Sequence, residues 1–145
     1  MTDVLCVARK VADLHGPMTA MKLQKLVYYC QAWHLVWDEA PLFDEDFEAW
    51  ANGPVSPKLY SVHRGQFIVS PETFPEGHPL DEAEIGTIEA VMKFYGDKSA
   101  QWLSDLTHAE DPWVEARGET PSGERCSAII SKSSMHEYYS GLQRP

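Results

Sequence analysis

The chain has 145 residues, an apolar share of 43% and a formal charge of −10. That length suits one domain over residues 1–145, large enough to bury a core without disulfide or metal staples. The charge argues against a phosphate-backbone binder, which needs Lys and Arg to displace counterions, and favours attraction to a basic partner.

Val4, Val7, Ala8, Val11 and Leu14 recur at helical spacing, and Gly16-Pro17 stops the run. The spacing predicts a first helix over residues 3–15. No basic segment with an apolar run opens the chain, so no signal peptide is expected. Thr19 suits an N-cap. Behind it Leu23, Leu26, Val27, Cys30, Trp33 and Trp37 form an apolar face, with Lys22, Lys25, Gln31 and Asp38 expected largely elsewhere. This predicts a second helix near residues 20–38 as the centre of the core.

Ala40-Pro41-Leu42 breaks that helix. Phe47, Ala49 and Ala51 then alternate with Glu48, Trp50 and Asn52, a short strand running into the turn signal Asn52-Gly53-Pro54. Glu48 and Trp50 share one face of it. Ser56-Pro57 suits the cap and first residue of a short helix through Leu59, Tyr60 and His63. Three prolines and two glycines leave residues 64–80 mostly loop, with a short strand at 66–69.

Asp81 and Glu84 match a capping box, and Ile85, Ile88, Val91, Met92 and Tyr95 supply the stripe of the helix that follows. Ser99 opens a helix with Trp102, Leu103 and Leu106. Asp111-Pro112 suits the cap and first turn of another, ending at Gly118. Residues 126–130 suit a second strand, and Ser131 or Ser133 caps a last helix through Met135, Tyr138, Tyr139 and Leu142. The class is mainly α (α+β): six or seven helices with a small antiparallel sheet of two or three strands.

Chemistry-bearing motifs are scarce. Cys6, Cys30 and Cys126 form no disulfide framework and no zinc knuckle, and suit a reducing, cytoplasmic compartment. Cys30 and His34 stand one helical turn apart, but a metal needs three or four ligands, so core packing is the reading and no metal or cofactor is expected. No apolar run is long enough for a bilayer. His63 and His108, with Glu110 and Asp111 nearby in sequence, are the candidate general acid–base groups of a small hydrolase or transferase. No nucleophile elbow, phosphate loop or zinc-protease motif accompanies them. Residues 107–113 also have a structural account: a helix ends, the chain corners, and Trp113 plugs the corner. Residues 49–55 leave two readings open, a turn pinned by Trp50 against the second helix or a docking edge with Trp50 and Tyr60 as anchors. Asp44, Glu45, Asp46 and Glu48 are a solvated face or a steering patch for a basic partner.

Four ordered blocks together resemble a known family. They are residues 21–33 (MKLQKLVYYCQAW), Pro41-Leu42-Phe43 with Phe47-Glu48-Ala49-Trp50 and Asn52-Gly53-Pro54-Val55, Thr107-His108 with Pro112-Trp113 and Ala116-Arg117, and the closing segment from Ile129 to Tyr139. Across residues 5–142 the chain resembles the Panacea domain, also called SocA-like antitoxin or phage-associated GepA-like. The resemblance implies a bacterial or prophage-associated antitoxin that neutralises a cognate toxin by direct protein contact. It also implies an alternative role as a proteolytic adaptor that hands bound toxin to a ClpXP-type AAA+ protease. Leu23, Gln24, Lys25, Trp50, Asn52, Gly53, Pro54, Val55, Thr107, His108, Pro112 and Trp113 carry over as motif positions with a structural role, not as a contact list. Trp37, Trp50, Tyr60 and Phe67 are the aromatic candidates for the toxin surface, with neither nucleic acid nor membrane as partner.

Overall fold

The computed structural model describes residues 2–145. Its axis is α2 (Ala20–Trp37), which follows α1 (Val4–His15) and the two-residue strand β1 (Met18–Thr19). Next come β2 (Phe47–Trp50), β3 (Gly53–Val55), α3 (Pro57–His63) and β4 (Ile68–Val69). After these run α4 (Glu82–Tyr95), α5 (Ala100–His108), α6 (Asp111–Arg117), β5 (Ile129–Ile130) and α7 (Lys132–Leu142). Helices therefore dominate, with two small antiparallel sheets. β1 pairs with β4, and three strands run in the order β3-β2-β5.

Local chemistry sets most of the boundaries. Asp3, Thr19, Ser56, Ser99 and Ser131 each accept a backbone N–H of the helix they open. Each satisfies a donor that the first turn leaves without an intrahelical partner. Asp81 and Glu84 close the expected capping box at both bonds, 2.8 and 2.9 Å.

The core is built around α2, fourteen of whose eighteen residues are buried. Packed along most of its length, α2 sends few of its polar side chains to solvent. Lys25 and Gln31, expected largely off the apolar face, are both buried to within 1%. The reason is the hydrogen bonding available inside. Gln31 donates to the Phe43 carbonyl and accepts from Leu42 N–H, both at 2.7 Å, and so fastens residues 42–43 to the helix. Trp33 donates Nε1 to the Tyr95 hydroxyl at 2.9 Å, linking α2 to α4. Tyr29 donates to Glu110 at 2.6 Å, and the Tyr139 hydroxyl lies 2.7 Å from the same carboxylate oxygen. Glu110, in the corner between α5 and α6, thereby joins α2 to α7. Its burial pushes the carboxyl up, and the two tyrosine hydroxyls oppose that shift.

Glu110 also accounts for a corrected boundary. The sequence pattern puts the cap of α6 at Asp111, but the cap position is Glu110 and Asp111 is the first helical residue. The other differences lie in short elements. The strands expected over 66–69 and 126–130 shrink to Ile68–Val69 and Ile129–Ile130, and β1 has no sequence signal at all. Leu14, expected on the apolar face of α1, is 44% exposed at the end of its helix.

Two glycines test this geometry in opposite directions. Gly53 has φ of +122°, and a Cβ there would stand 2.5 Å from Lys25 Cε and 3.0 Å from Thr107 Oγ1. Gly53→Ala should cost about 2–4 kcal/mol, combining backbone strain with overpacking. Gly86 lies exposed inside α4, and a methyl group added there would meet only open space. Gly86→Ala should stabilise by about 0.5–1 kcal/mol through helix propensity. Urea unfolding of both variants reads the two signs.

Candidate interaction surface

The β2–β3 hairpin is the place where the distant sequence blocks meet. Its backbone carbonyls are taken up from several sides. Trp113 donates Nε1 to the Trp50 carbonyl at 2.9 Å. Arg117 donates to the Ala49 carbonyl at 2.9 Å, and its other nitrogen holds the carbonyls of Pro121 and Glu124. Lys25 reaches from α2 to the Pro54 carbonyl at 3.2 Å, and Ser104 donates to the Asn52 carbonyl at 2.6 Å. Gln24 brackets Ser56 just beyond the hairpin, accepting its N–H at 2.9 Å and donating to its carbonyl at 3.3 Å.

Of the motif positions, Gln24, Lys25, Gly53, Pro54, Val55, Thr107 and Trp113 thus lie in or against this hairpin, and Leu23 is buried in the core. Pro112 is buried in the first turn of α6, and His108 stacks on Trp113 with ring centroids 4.1 Å apart. Asn52 sits at the turn itself.

The outer face of this frame carries a groove of about 600 Å³. Met21 from the first turn of α2, Glu48, Trp50 and Val55 from the sheet, and Arg125, Cys126 and Ser127 from the loop before β5 line it. Trp50 donates Nε1 to Glu48 at 2.8 Å and meets the exposed Tyr60 edge-on at 5.1 Å. The structure therefore brings two of the four aromatic candidates together. Phe67, 77% exposed, stands beside the start of α2, where its carbonyl accepts from Ala20 N–H at 2.9 Å. Trp37 lies sixteen residues further along α2 than Met21, about 24 Å by helical rise, and stacks on Trp33 at 5.4 Å. It belongs to a different surface. Sequence reasoning misses Met21 and the 125–127 loop. Met21 has one available signal, an apolar residue off the buried stripe of its helix, whereas the loop has none.

The acidic run before β2 is partly absorbed into the fold. Glu45 accepts Val4 N–H at 3.2 Å, Asp46 pairs with Lys132 at 2.9 Å, and Glu48 holds Trp50. Asp44 remains exposed.

The two candidate acid–base rings sit in different surroundings. Gln24 Nε2 donates to His63 Nε2 at 2.9 Å, which uses the lone pair a general base would need. His108 Nε2 is buried without a hydrogen-bond partner among the described residues, and the ring lies against Trp113. Burial first, then the nearby Lys25 charge, holds His108 below its ordinary range; burial does the same for His63, against a backbone hydrogen bond, with Lys25 adding to the depression. Neither ring lines the groove. Cys30 and His34 do not assemble a metal site together. Cys30 is fully buried, with its thiol pushed up by burial, and His34 shares a 2.7 Å hydrogen bond with Thr87. Among the described residues a different trio, Asp3, Cys6 and His78, has ligand atoms grouped closely enough for an ion. No described helix is long and apolar enough to cross a membrane.

Lys25 is the buried charge beneath this surface. Burial pushes it down from 10.5 to about 7, and its ammonium donates to one carbonyl. Between those values the unfolded chain holds a proton the folded chain has lost, so stability rises with pH across that window. The rise should reach up to about 1.4 kcal/mol per pH unit between pH 7 and 9. Above pH 10 the buried tyrosines, whose hydroxyls are pushed up by burial, act in the opposite sense. Urea unfolding at a series of pH values checks the slope, and Lys25→Met should flatten it.

The family described as "Antitoxin SocA-like, Panacea domain" matches residues 23–114. The chain is also 32% identical over 117 residues to a protein named Antitoxin SocA from Caulobacter vibrioides, an alignment that covers 72% of this chain. It spans 62% of that relative's own length. No solved structure matches the chain.

Proposed function

The chain belongs to the SocA-like antitoxin family of Panacea domains, and from that premise we propose that it is a cytoplasmic antitoxin that neutralises a cognate toxin by direct protein contact rather than by catalysis. The observation that carries the reading is the family match across the α2, hairpin and α5–α6 blocks, together with a relative that is itself named an antitoxin. The groove beside Trp50 and Tyr60 supports it. A concave, partly apolar surface with aromatic anchors and a polar rim has the composition of a protein-binding hot spot. The surface is held by hydrogen bonds from α2, α5 and α6, so little ordering cost opposes association. The net charge of −10 favours a toxin with a basic face and speeds the encounter more than it deepens the complex. In this reading residues 1–145 act as one domain, and the motif positions serve to hold the hairpin.

The experiment is co-expression with the product of the adjacent gene, followed by affinity measurement on the purified pair. Wild-type chain should relieve growth arrest and co-purify with the toxin. Met21→Glu combined with Tyr60→Glu should weaken the complex by about 10-fold or more, while Leu142→Glu on the last helix should leave it intact. A harmless neighbour with no complex defeats the reading. A tight complex indifferent to Met21 and Tyr60 moves the contact elsewhere on the domain. Adding a ClpXP-type protease to the pair separates occlusion, in which toxin persists, from delivery, in which toxin is lost.

A further inference from the structure

At the start of α1, away from the groove, we propose a zinc site formed by Asp3, Cys6 and His78. One ligand atom from each lies within 4.8 Å of those of the other two. Two different segments converge to make the group. Asp3 and Cys6 stand three residues apart at the start of α1, on one face of the helix. His78 comes from the proline-rich loop before α4, far downstream in the chain.

Each group has a donor atom to spare. Asp3 uses Oδ1 to accept Cys6 N–H at 2.8 Å, which leaves its second carboxylate oxygen for an ion. Cys6 is buried at 7% exposure, and its sulfur is not committed to a disulfide. The His78 ring has Nδ1 3.2 Å from the Pro79 carbonyl, an arrangement that places the proton on Nδ1. Nε2 then carries the lone pair and faces the start of α1, where its neighbour is Thr2 Oγ1 at a long 3.4 Å. A ring nitrogen fixed by a carbonyl while the other nitrogen faces the ion is the usual supporting arrangement for a metal-bound histidine. The loop is seated tightly. Any Cβ at Gly77 would collide with Cys6 Sγ, so only glycine lets the histidine's segment approach the thiol this closely.

The donor set selects the metal. One sulfur, one imidazole nitrogen and one carboxylate oxygen suit zinc, and do not suit calcium or magnesium, which take oxygen ligands. Tetrahedral zinc spaces such ligand atoms about 3.3–3.6 Å apart, so small side-chain rotations close the group around an ion. Three protein ligands leave a fourth position for water, and Cys6 and His78 line a shallow cavity of about 290 Å³. Arg9 and Lys10 line the same cavity and oppose a cation. Arg9 is offset by Asp13 at 3.5 Å and Glu76 at 3.7 Å. The bound ion would clip the proline-rich loop to α1.

The test is titration of the metal-stripped full chain with Zn²⁺ against a chromophoric chelator, and with Co²⁺ read by absorption. The expected result is stoichiometric zinc binding and a tetrahedral Co²⁺ spectrum with a thiolate charge-transfer band. Cys6→Ser should abolish that band, and His78→Ala should weaken zinc binding by about 100-fold or more. Cys126→Ser and His15→Ala should change neither. His78 is exposed in a loop, so its variant folds even where Cys6→Ser does not, and circular dichroism verifies both. Absence of stoichiometric binding overturns the site, as does a thiolate band that survives Cys6→Ser or zinc affinity indifferent to His78→Ala.

Discussion

A helix buried along most of its length cannot leave its buried polar groups unanswered, and that constraint organises this protein. An unpaired buried donor or acceptor costs about 1–3 kcal/mol, so α2 is stable only where each polar side chain it carries finds a partner. The partners are supplied by the elements around it. Gln24 engages Ser56 and His63, Lys25 engages Pro54, and Tyr29 engages Glu110. Gln31 engages Leu42 and Phe43, Trp33 engages Tyr95, and His34 engages Thr87. One helix thereby sets the position of the hairpin, of α3 and α4, and of the corner between α5 and α6.

The hairpin gains most from this arrangement. A two-stranded ribbon of three or four residues per strand is not stable by itself in water. Here β2 gains β5 as a third strand, and carbonyls at Ala49, Trp50, Asn52 and Pro54 are held by Arg117, Trp113, Ser104 and Lys25. The indole of Trp113 is itself held from two sides, with His108 stacked on it and the Arg117 guanidinium 5.0 Å from its ring. The outcome is a short, stiff hairpin whose central strand β2 carries Trp50, with Tyr60 of α3 against it. Rigidity of this kind suits recognition by contact, because the surface is formed before a partner arrives. The same frame leaves His63 bonded to Gln24 and the His108 ring stacked on Trp113.

The hairpin and the start of α1 differ in kind. The hairpin is held by hydrogen bonds to its carbonyls, while the start of α1 and the loop carrying His78 meet at a thiol, a carboxylate and an imidazole. At the start of α1 Glu45 accepts the Val4 N–H, and Lys132 pairs with Asp46, so much of the acidic run that reads as a free patch is structural.

Local rules are enough to read the helices. Thr19, Ser56-Pro57, the Asp81–Glu84 box and Ser99 mark helix starts because a cap is satisfied by residues three apart, and a sequence shows that spacing directly. The hydrophobic period likewise locates α2 and its role as the core. The same period misplaces Lys25 and Gln31, since polarity alone does not tell whether a buried carbonyl waits nearby. β4 falls within the expected strand, but its partner β1 is too short to carry an alternation, and the two lie far apart in the chain. The groove, the meeting of Lys25 with Gly53 and Thr107, and the grouping of Asp3, Cys6 and His78 are likewise invisible in one dimension. Each depends on contacts between distant residues, and those distances are set by packing around α2. The order of residues alone dictates where helices begin, which faces are apolar and what charge the surface carries, because each of these is a property of near neighbours or of the total. Which polar groups are sealed inside, and which aromatic residues share one exposed face, follows only from the way the helices close on one another.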